Sequence, residues 1–319
     1  MRTGWPAARG AHAEPRGRDG NPAVTGVRTA PAVRLAACVL LGFVWLGCIT
    51  PAHAAELKVA TWNLNWLTER PDGDPALPSD VHGRSAADFD RLRQYAAELN
   101  ADVVAIEEVD GRAAAARVFP AERYSIHLTR DDVVQRVGIV VRRGLHYDVN
   151  PDVTAIEGPP GLRLRSGADI TLHLGSQTLR ILAVHLKTGC ADAPLSRSRR
   201  RSCVELRAQV PPLQQWLAAR QQEGVAFLVL GDFNRRMDGN DQLWNALRRT
   251  VPLSRATEGH ADPCWEGGGF IDHIIAGGAA RDWMQLDTLR VLTYRETGEG
   301  WKDRLSDHCP VSVRLAVPE

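Results

Sequence analysis

Residues 226–234 read Ala-Phe-Leu-Val-Leu-Gly-Asp-Phe-Asn. Five apolar residues in succession, with no helical spacing, mark a strand buried on both faces. The run stops at Gly231, and Asp232 and Asn234 follow at i and i+2, where a continuing strand puts both on one face. Working outward, the same arrangement recurs. A strand over 57–62 runs into Thr61-Trp62-Asn63-Leu64, one over 102–106 into Ile106-Glu107-Glu108-Val109, and one over 178–184 into His185-Leu186-Lys187. A strand over 270–275 carries Asp272-His273, and Ser306-Asp307-His308-Cys309-Pro310 leads into a strand over 311–315. Polar side chains at the ends of buried strands gather at one edge of a sheet, where a pocket can form.

Between the first two strands Phe89, Leu92, Ala96 and Leu99 recur at helical spacing, with Ser85 and Asp88 as a capping pair. Further strands are expected over 137–142 and 170–174. A helix is expected over part of 204–222, which Pro211-Pro212 should kink or start. Strands interleave with a few helices, without repeats or linkers, so residues 55–319 read as one α/β domain. Segments 71–83 and 189–202 read as insertions.

The 319 residues are 44% hydrophobic and 24% charged, which excludes a fibrous or wholly disordered chain. Residues 1–34 are rich in Arg, Gly, Pro and Ala, 35–49 are almost wholly apolar, and Ala52-His53-Ala54 follows. That order of regions is a secretory leader, with cleavage expected after Ala54 and a secreted or periplasmic product. The apolar run is shorter than the roughly 20 residues a membrane helix needs, so no stable membrane anchor is expected to remain. Trp45 stands where a lipoprotein signal around Cys48 would carry Leu. Removing residues 1–54 takes away six arginines and two acids, leaving 33 basic and 36 acidic residues. A chain with that slight acidic excess cannot rely on overall charge to attract a polyanion. A nucleic-acid substrate would need a local basic patch or a bound cation. Four cysteines remain, Cys190, Cys203, Cys264 and Cys309, an even number that suits export. Cys190 with Cys203 is the favoured pair, closing a short loop worth roughly 3 kcal/mol. Cys264 and Cys309 are left as a second pair or as free thiols.

The ordered set WNL, IEEV, VHLK, GDFN, IDH and SDHCPV resembles the endonuclease/exonuclease/phosphatase superfamily. That superfamily includes pancreatic-type deoxyribonucleases, apurinic-site endonucleases, bacterial extracellular nucleases, neutral sphingomyelinases and inositol polyphosphate 5-phosphatases. Each motif alone is weak, but six in order over 57–315 are specific. The resemblance implies a four-layer α/β sandwich, two packed mixed β-sheets flanked by helices. It also implies phosphoester hydrolysis assisted by Mg²⁺, with Mn²⁺ or Ca²⁺ as alternatives.

Hydrolysis at phosphorus needs an in-line nucleophile, charge stabilisation on the phosphoryl oxygens and help for the leaving oxygen. Magnesium takes one or two carboxylates and keeps waters, so few acids suffice. On the family pattern Glu108 is the first metal ligand, with Glu107 on the opposite strand face. Asn63 orients the metal or the phosphate, and Asp307 is a further metal-site acid. Asp232 positions or deprotonates the attacking water, and Asn234 donates to the scissile phosphate. His308 bonds the phosphoryl oxygen or exchanges a proton, and Asp272 hydrogen-bonds His308 and raises its pKa. His185 is the second imidazole, while His273 faces away and reads as structural. One departure stands out: pancreatic-type enzymes give that second histidine a glutamate, and here Val134-Gln135-Arg136-Val137 has no acid. Asp131 or Asp132 could substitute, and Arg136 could clamp a phosphate or lie on the surface.

The catalytic set does not name the substrate. Lys187 and the run Arg197-Ser198-Arg199-Arg200-Arg201 lie between His185 and the GDFN motif, so Lys187, Arg199 and Arg200 are candidate phosphate contacts. The cysteine-bracketed basic loop resembles that of bacterial secreted nucleases, and no long apolar hairpin is present to dock on a membrane. A monomeric nuclease acting on DNA or RNA is therefore expected. A phospholipid or small-phosphoester hydrolase is the alternative within the same chemistry. A catalytically dead binding module would require gaps in the catalytic set, of which only the missing glutamate is evident.

Overall fold

The computed structural model describes residues 55–158, 164–298 and 300–319, so the expected leader lies outside the described residues. In chain order the strands are β1 (Ala55–Leu67), β2 (Val103–Val109), β3 (Tyr124–Leu128), β4 (Arg136–Arg142), β5 (His146–Val149) and β6 (Ala168–Leu174). They continue with β7 (Gln177–His185), β8 (Ala226–Asp232), β9 (Leu253–Arg255), β10 (Asp272–Gly277), β11 (Met284–Val291) and β12 (Val311–Val317). Two six-stranded sheets result, in the orders β11-β12-β1-β2-β4-β3 and β5-β6-β7-β8-β10-β9. Each contains one parallel pair, β1 with β2 and β7 with β8. Parallel neighbours need a long crossover. Helix α1 (Ala86–Leu99) supplies the first and α3 (Arg201–Glu223) the second, while α2 (Arg112–Val118) and α4 (Gln242–Thr250) pack beside them.

Strand alternation explains the layering. Leu57 and Val59 of β1, Val103 and Ala105 of β2, Leu179, Ile181 and Ala183 of β7, and Leu228 and Leu230 of β8 meet in a core between the sheets. The residues between them face outward. Trp62, Val104 and Ile106 pack on Phe89, Leu92 and Leu99 of α1, and Leu182, Phe227 and Val229 pack on Leu206, Leu213 and Trp216 of α3. Helix, sheet, sheet, helix is the expected four-layer sandwich. Each fully buried aliphatic contributes roughly 1.5–3 kcal/mol, so these three apolar zones dominate the stability.

Ser85 and Asp88 form the expected reciprocal capping box on α1, worth on the order of 1 kcal/mol. Helix α3 departs from expectation. It begins at Arg201 and runs through Pro211 and Pro212. Pro211 is exposed and Pro212 half-buried, so neither ring is forced into the core that α3 covers. Cys190 is bonded to Cys203, and Cys264 to Cys309. The second pair, which the sequence left open, ties the segment before β10 to the loop before β12.

Candidate active site

The parity that fills the inter-sheet core also builds the site. Continuing the inward-facing series by twos brings Thr61 and then Asn63 on β1, Glu107 on β2, His185 on β7 and Asp232 on β8 to one rim, and all five are buried. Antiparallel β10 enters that rim first, with Asp272. Register places His185 opposite Asp232 and Asp232 opposite Asp272, so three ionisable groups sit side by side across three strands. Gly231 permits this: its φ is +143°, and any Cβ there would collide with the Val184 carbonyl of β7.

Parity alone would turn Glu108 outward, beneath the helices. Instead Glu108 has φ +60°, and the β2–β4 and β1–β2 registers shift beside it. This bulge swings its carboxylate back to the rim. There Oε2 accepts from the Trp66 backbone N–H at 3.2 Å and from the Gln135 amide at 2.6 Å. Oε1 accepts from Asn63 at 3.2 Å and faces His185 Nε2 at 3.5 Å. Glu107 stays buried beneath, its Oε1 3.1 Å from the Thr61 hydroxyl that donates to it. Burial, reinforced by Asp272 and Asp232, raises its pKa well above the usual carboxylate range.

Asp232 lies at the centre. Its Oδ2 accepts from Asn63 at 3.1 Å and from Asn234 at 2.9 Å, and its Oδ1 accepts from the Asn234 backbone N–H at 2.7 Å. His185 Nε2 is 3.6 Å and His308 Nε2 3.9 Å from Oδ2. Burial pushes its pKa up to about 7, with Asp272 and Glu108 adding to the rise and His308 opposing it. His308 approaches from the loop before β12, which Ser306 staples to β1 through a 2.7 Å bond from its hydroxyl to the Asn63 carbonyl. His308 Nδ1 is 2.7 Å from Asp272 Oδ2, and Nε2 is 3.8 Å from Asp307 Oδ1. Burial works against charge on His308, but Asp272 and Asp232 outweigh it and hold its pKa well above the imidazole range.

The remaining expected residues divide. His185 is buried with its Nδ1 unpartnered, and burial, with Arg165 nearby, holds its pKa well below the usual range. Asp131 bonds Ser166 and Thr129, so it does not supply the missing acid. Arg136 bonds the Asp110 and Asp131 carbonyls. His273 spans Thr257 and the Arg235 carbonyl within the fold, as a structural histidine does. Asn234 donates its amide to Asp232 and to the Leu186 carbonyl at 3.1 Å, so as placed it orients Asp232. Asn63 likewise accepts the Asn65 N–H at its oxygen and turns its nitrogen to the two acids. Asp307 is half-exposed at the mouth. Lys187 lies beside the rim, 3.9 Å from Glu205, while Arg199 and Arg200 are exposed on the loop.

Sequence reading missed Gln135, Arg165, Arg84 and Tyr294. Arg165 bonds the Gln135 side chain, which in turn holds Glu108. Arg84 gathers the Leu64, Asn65 and Leu305 carbonyls, and the Tyr294 hydroxyl donates to the His308 carbonyl. None of these lies in a strand-end motif, so only Gln135, flagged as a missing acid, left a trace in the sequence.

A hard divalent cation fits these donors. Glu108 has one oxygen fixed by two N–H groups and the other turned to the rim, the orientation that outer partners impose on a metal-binding carboxylate. Asp232, Asp272 and His308 also bring one candidate ligand atom each within 4.8 Å of one another. There the short Asp272–His308 bond makes a proton-handling pair the better use of the imidazole.

The family model described as Endonuclease/Exonuclease/phosphatase family matches residues 60–308, from β1 to His308. The chain belongs to this family. Solved structures of the same fold include truncated TDP2 from Caenorhabditis elegans, at 16% identity and TM-score 0.57, covering 83% of this chain and 99% of that one. A Neisseria 3′ phosphatase, NExo, bound to a product DNA hairpin, has 17% identity and TM-score 0.52, covering 81% and 99%. TDP2 from D. rerio, complexed with single-strand DNA product, has 14% identity and TM-score 0.53, covering 82% and 98%. No curated relative matches the sequence. At the rim Gln135 holds Glu108, and the stretch around it supplies His185 with no acid.

Proposed function

We propose that the chain is an exported, divalent-metal-dependent phosphodiester hydrolase that cleaves nucleic acid, with residues 1–54 as its leader and residues 55–319 as the mature enzyme. The observation that carries the reading is the unbroken contact path Glu108–Asn63–Asp232–His308–Asp272, which joins the ends of both sheets at one rim. Product DNA in two of the fold's neighbours favours a nucleic-acid substrate. Two disulfides suit an oxidising compartment. No helix of the described residues is long and apolar enough to cross a membrane, and their exposed large aliphatics, Val149, Val204 and Leu286, lie on three different elements.

Glu108, with Asn63 beside it and Asp307 reaching in from the His308 loop, would hold the cation, Mg²⁺ by donor chemistry, which would supply charge neutralisation at the phosphoryl oxygens when bound. Asp232, poised near neutrality, takes the proton of the attacking water, and Asn234 and Asn63 fix the direction of its carboxylate. His308, kept cationic by Asp272, donates toward the oxygen that accumulates charge as the phosphorus–oxygen bond breaks. His185 is neutral. Its unpartnered Nδ1 and carboxylate-facing Nε2 select the Nε2–H tautomer, which directs its proton toward the Glu108 and Asp232 carboxylates and helps to hold them at the rim. Lys187, Arg199 and Arg200 contact flanking phosphates.

The test is nicking of supercoiled plasmid by residues 55–319 with Mg²⁺, with chelator, and with Asp232→Ala. Cleavage that needs both the metal and Asp232 is expected. A folded, metal-supplied protein that leaves the plasmid intact would exclude the nuclease reading, and sphingomyelin would be the next substrate.

A further inference from the structure

Immediately beside Glu108 lies a cavity of about 420 Å³ whose lining includes Gln135, Arg165, Lys187, Thr188, Arg201 and Glu205. Three cations there face one carboxylate. Glu205 is the internal partner of two of them, 2.6 Å from Arg201 Nε and 3.9 Å from Lys187 Nζ. Arg165 bonds Gln135, which holds Glu108. The pocket is therefore net positive in a chain whose overall charge is near zero, and it opens next to the strand ends that carry the chemistry.

This pocket is built rather than incidental. Lys187 and Thr188 follow β7, whereas Arg201 and Ser202 start α3, and the loop between them would let the two drift apart. The Cys190–Cys203 disulfide closes that loop, and the Ser202 hydroxyl donates to the Gly189 carbonyl at 2.8 Å. Gly189 has φ +88° and takes the turn that this closure needs. Lys187 is further fixed by its backbone N–H, which donates to Gln209 of α3 at 2.8 Å. Arg199 and Arg200, which sequence reading favoured, point to solvent from the loop and do not line the pocket.

We propose that this cavity binds a second phosphodiester of a nucleic-acid strand, next to the scissile one, with Lys187 and Arg201 exchanging Glu205 for the phosphate oxygens and Arg165 closing the inner wall. The assignment rests on the nuclease reading and sharpens it. A small phosphoester with one phosphate reaches the rim but leaves this subsite empty, so the subsite selects polymers.

Two measurements on wild type and Lys187→Ala/Arg201→Ala test it. The first is binding of a short fluorescein-labelled single strand in chelator, followed by anisotropy across salt concentrations. The second is the ratio of kcat/KM on that strand to kcat/KM on bis(p-nitrophenyl) phosphate. Affinity should fall about tenfold or more, the slope of log affinity against log salt should drop by about 1.4 for two lost contacts on a single strand, and the ratio should fall about tenfold. Arg281→Ala, an exposed arginine in the helical turn Ala280–Trp283 beyond the opposite end of β10, should bind as wild type does. Unchanged affinity and slope, an equal loss on both substrates, or a wild type that does not bind the strand would each overturn the subsite. Wild type that binds through these residues but cleaves no strand would keep the subsite and remove the nuclease reading. Because Arg201 is exposed, Arg201→Ala alone supplies a variant whose folding is not at risk.

Discussion

The two sheets bring different chemistry to the same rim. The first sheet offers Asn63 and Glu108, an amide and a carboxylate locked by Trp66 and Gln135 with one oxygen left facing the opening. The second offers His185, Asp232 and Asp272 side by side, and burial lowers the pKa of His185 while it raises that of Asp232. On the proposed reading one half holds a cation and the other moves protons. His308 crosses between them, carried by the first sheet's last loop and bonded to the second sheet's Asp272. The difference has a structural origin. On the second sheet alternation delivers the side chains once Gly231 lets β8 pass close to Val184, whereas on the first a bulge must reverse Glu108.

Asp232→Asn breaks the proton-moving half outright. We expect kcat to fall by on the order of 10³ with metal affinity little changed, as single-turnover rates and metal titration would show. Asp272→Asn is a milder break, about 10² in rate, and it sharpens the assignment through pH. In wild type kcat/KM should rise through pH about 7 as Asp232 loses its proton. It should fall only well above the usual imidazole range, where His308 loses its own. Without Asp272 the alkaline limb moves to lower pH, because the cationic form of His308 has lost its first supporter.

The cation-holding half answers differently. Gln135→Ala frees Oε2 of Glu108 and should weaken metal binding about tenfold, read by calorimetry, with kcat recovering at high metal concentration. The smallest effect is on stability. The pKa of Asp232 is raised on folding, so its contribution to stability is complete below pH about 4 and is lost as pH rises through about 7. Above that pH, in chelator, Asp232→Asn should melt higher than wild type by on the order of a few °C.

The same contrast governs how much could be read without a structure. All eight interior strands are legible as apolar runs or as apolar residues alternating with polar ones, and the polar groups at their ends follow from counting by twos. The four strands that went unnoticed, β3, β5, β9 and β11, are the four sheet edges. Edge strands are short or half-exposed and carry no continuous apolar run, as His146–Val149 and Met284–Val291 show. The left-handed turn at Glu108 and the Arg165–Gln135 support depend on tertiary packing that spacing does not encode. Two prolines inside α3 mislead for a related reason: the packing of Leu206, Leu213 and Trp216 on the sheet holds the helix together through a local cost that the sequence alone makes look prohibitive.

The most direct test of this division of labour is a Mg²⁺ titration of plasmid nicking by wild type, Glu108→Gln and Asp232→Asn. Glu108→Gln should shift the metal midpoint upward by about tenfold or more, while Asp232→Asn should keep the midpoint and lose the plateau. Nicking by wild type in chelator, or a full plateau for Asp232→Asn, would contradict the account.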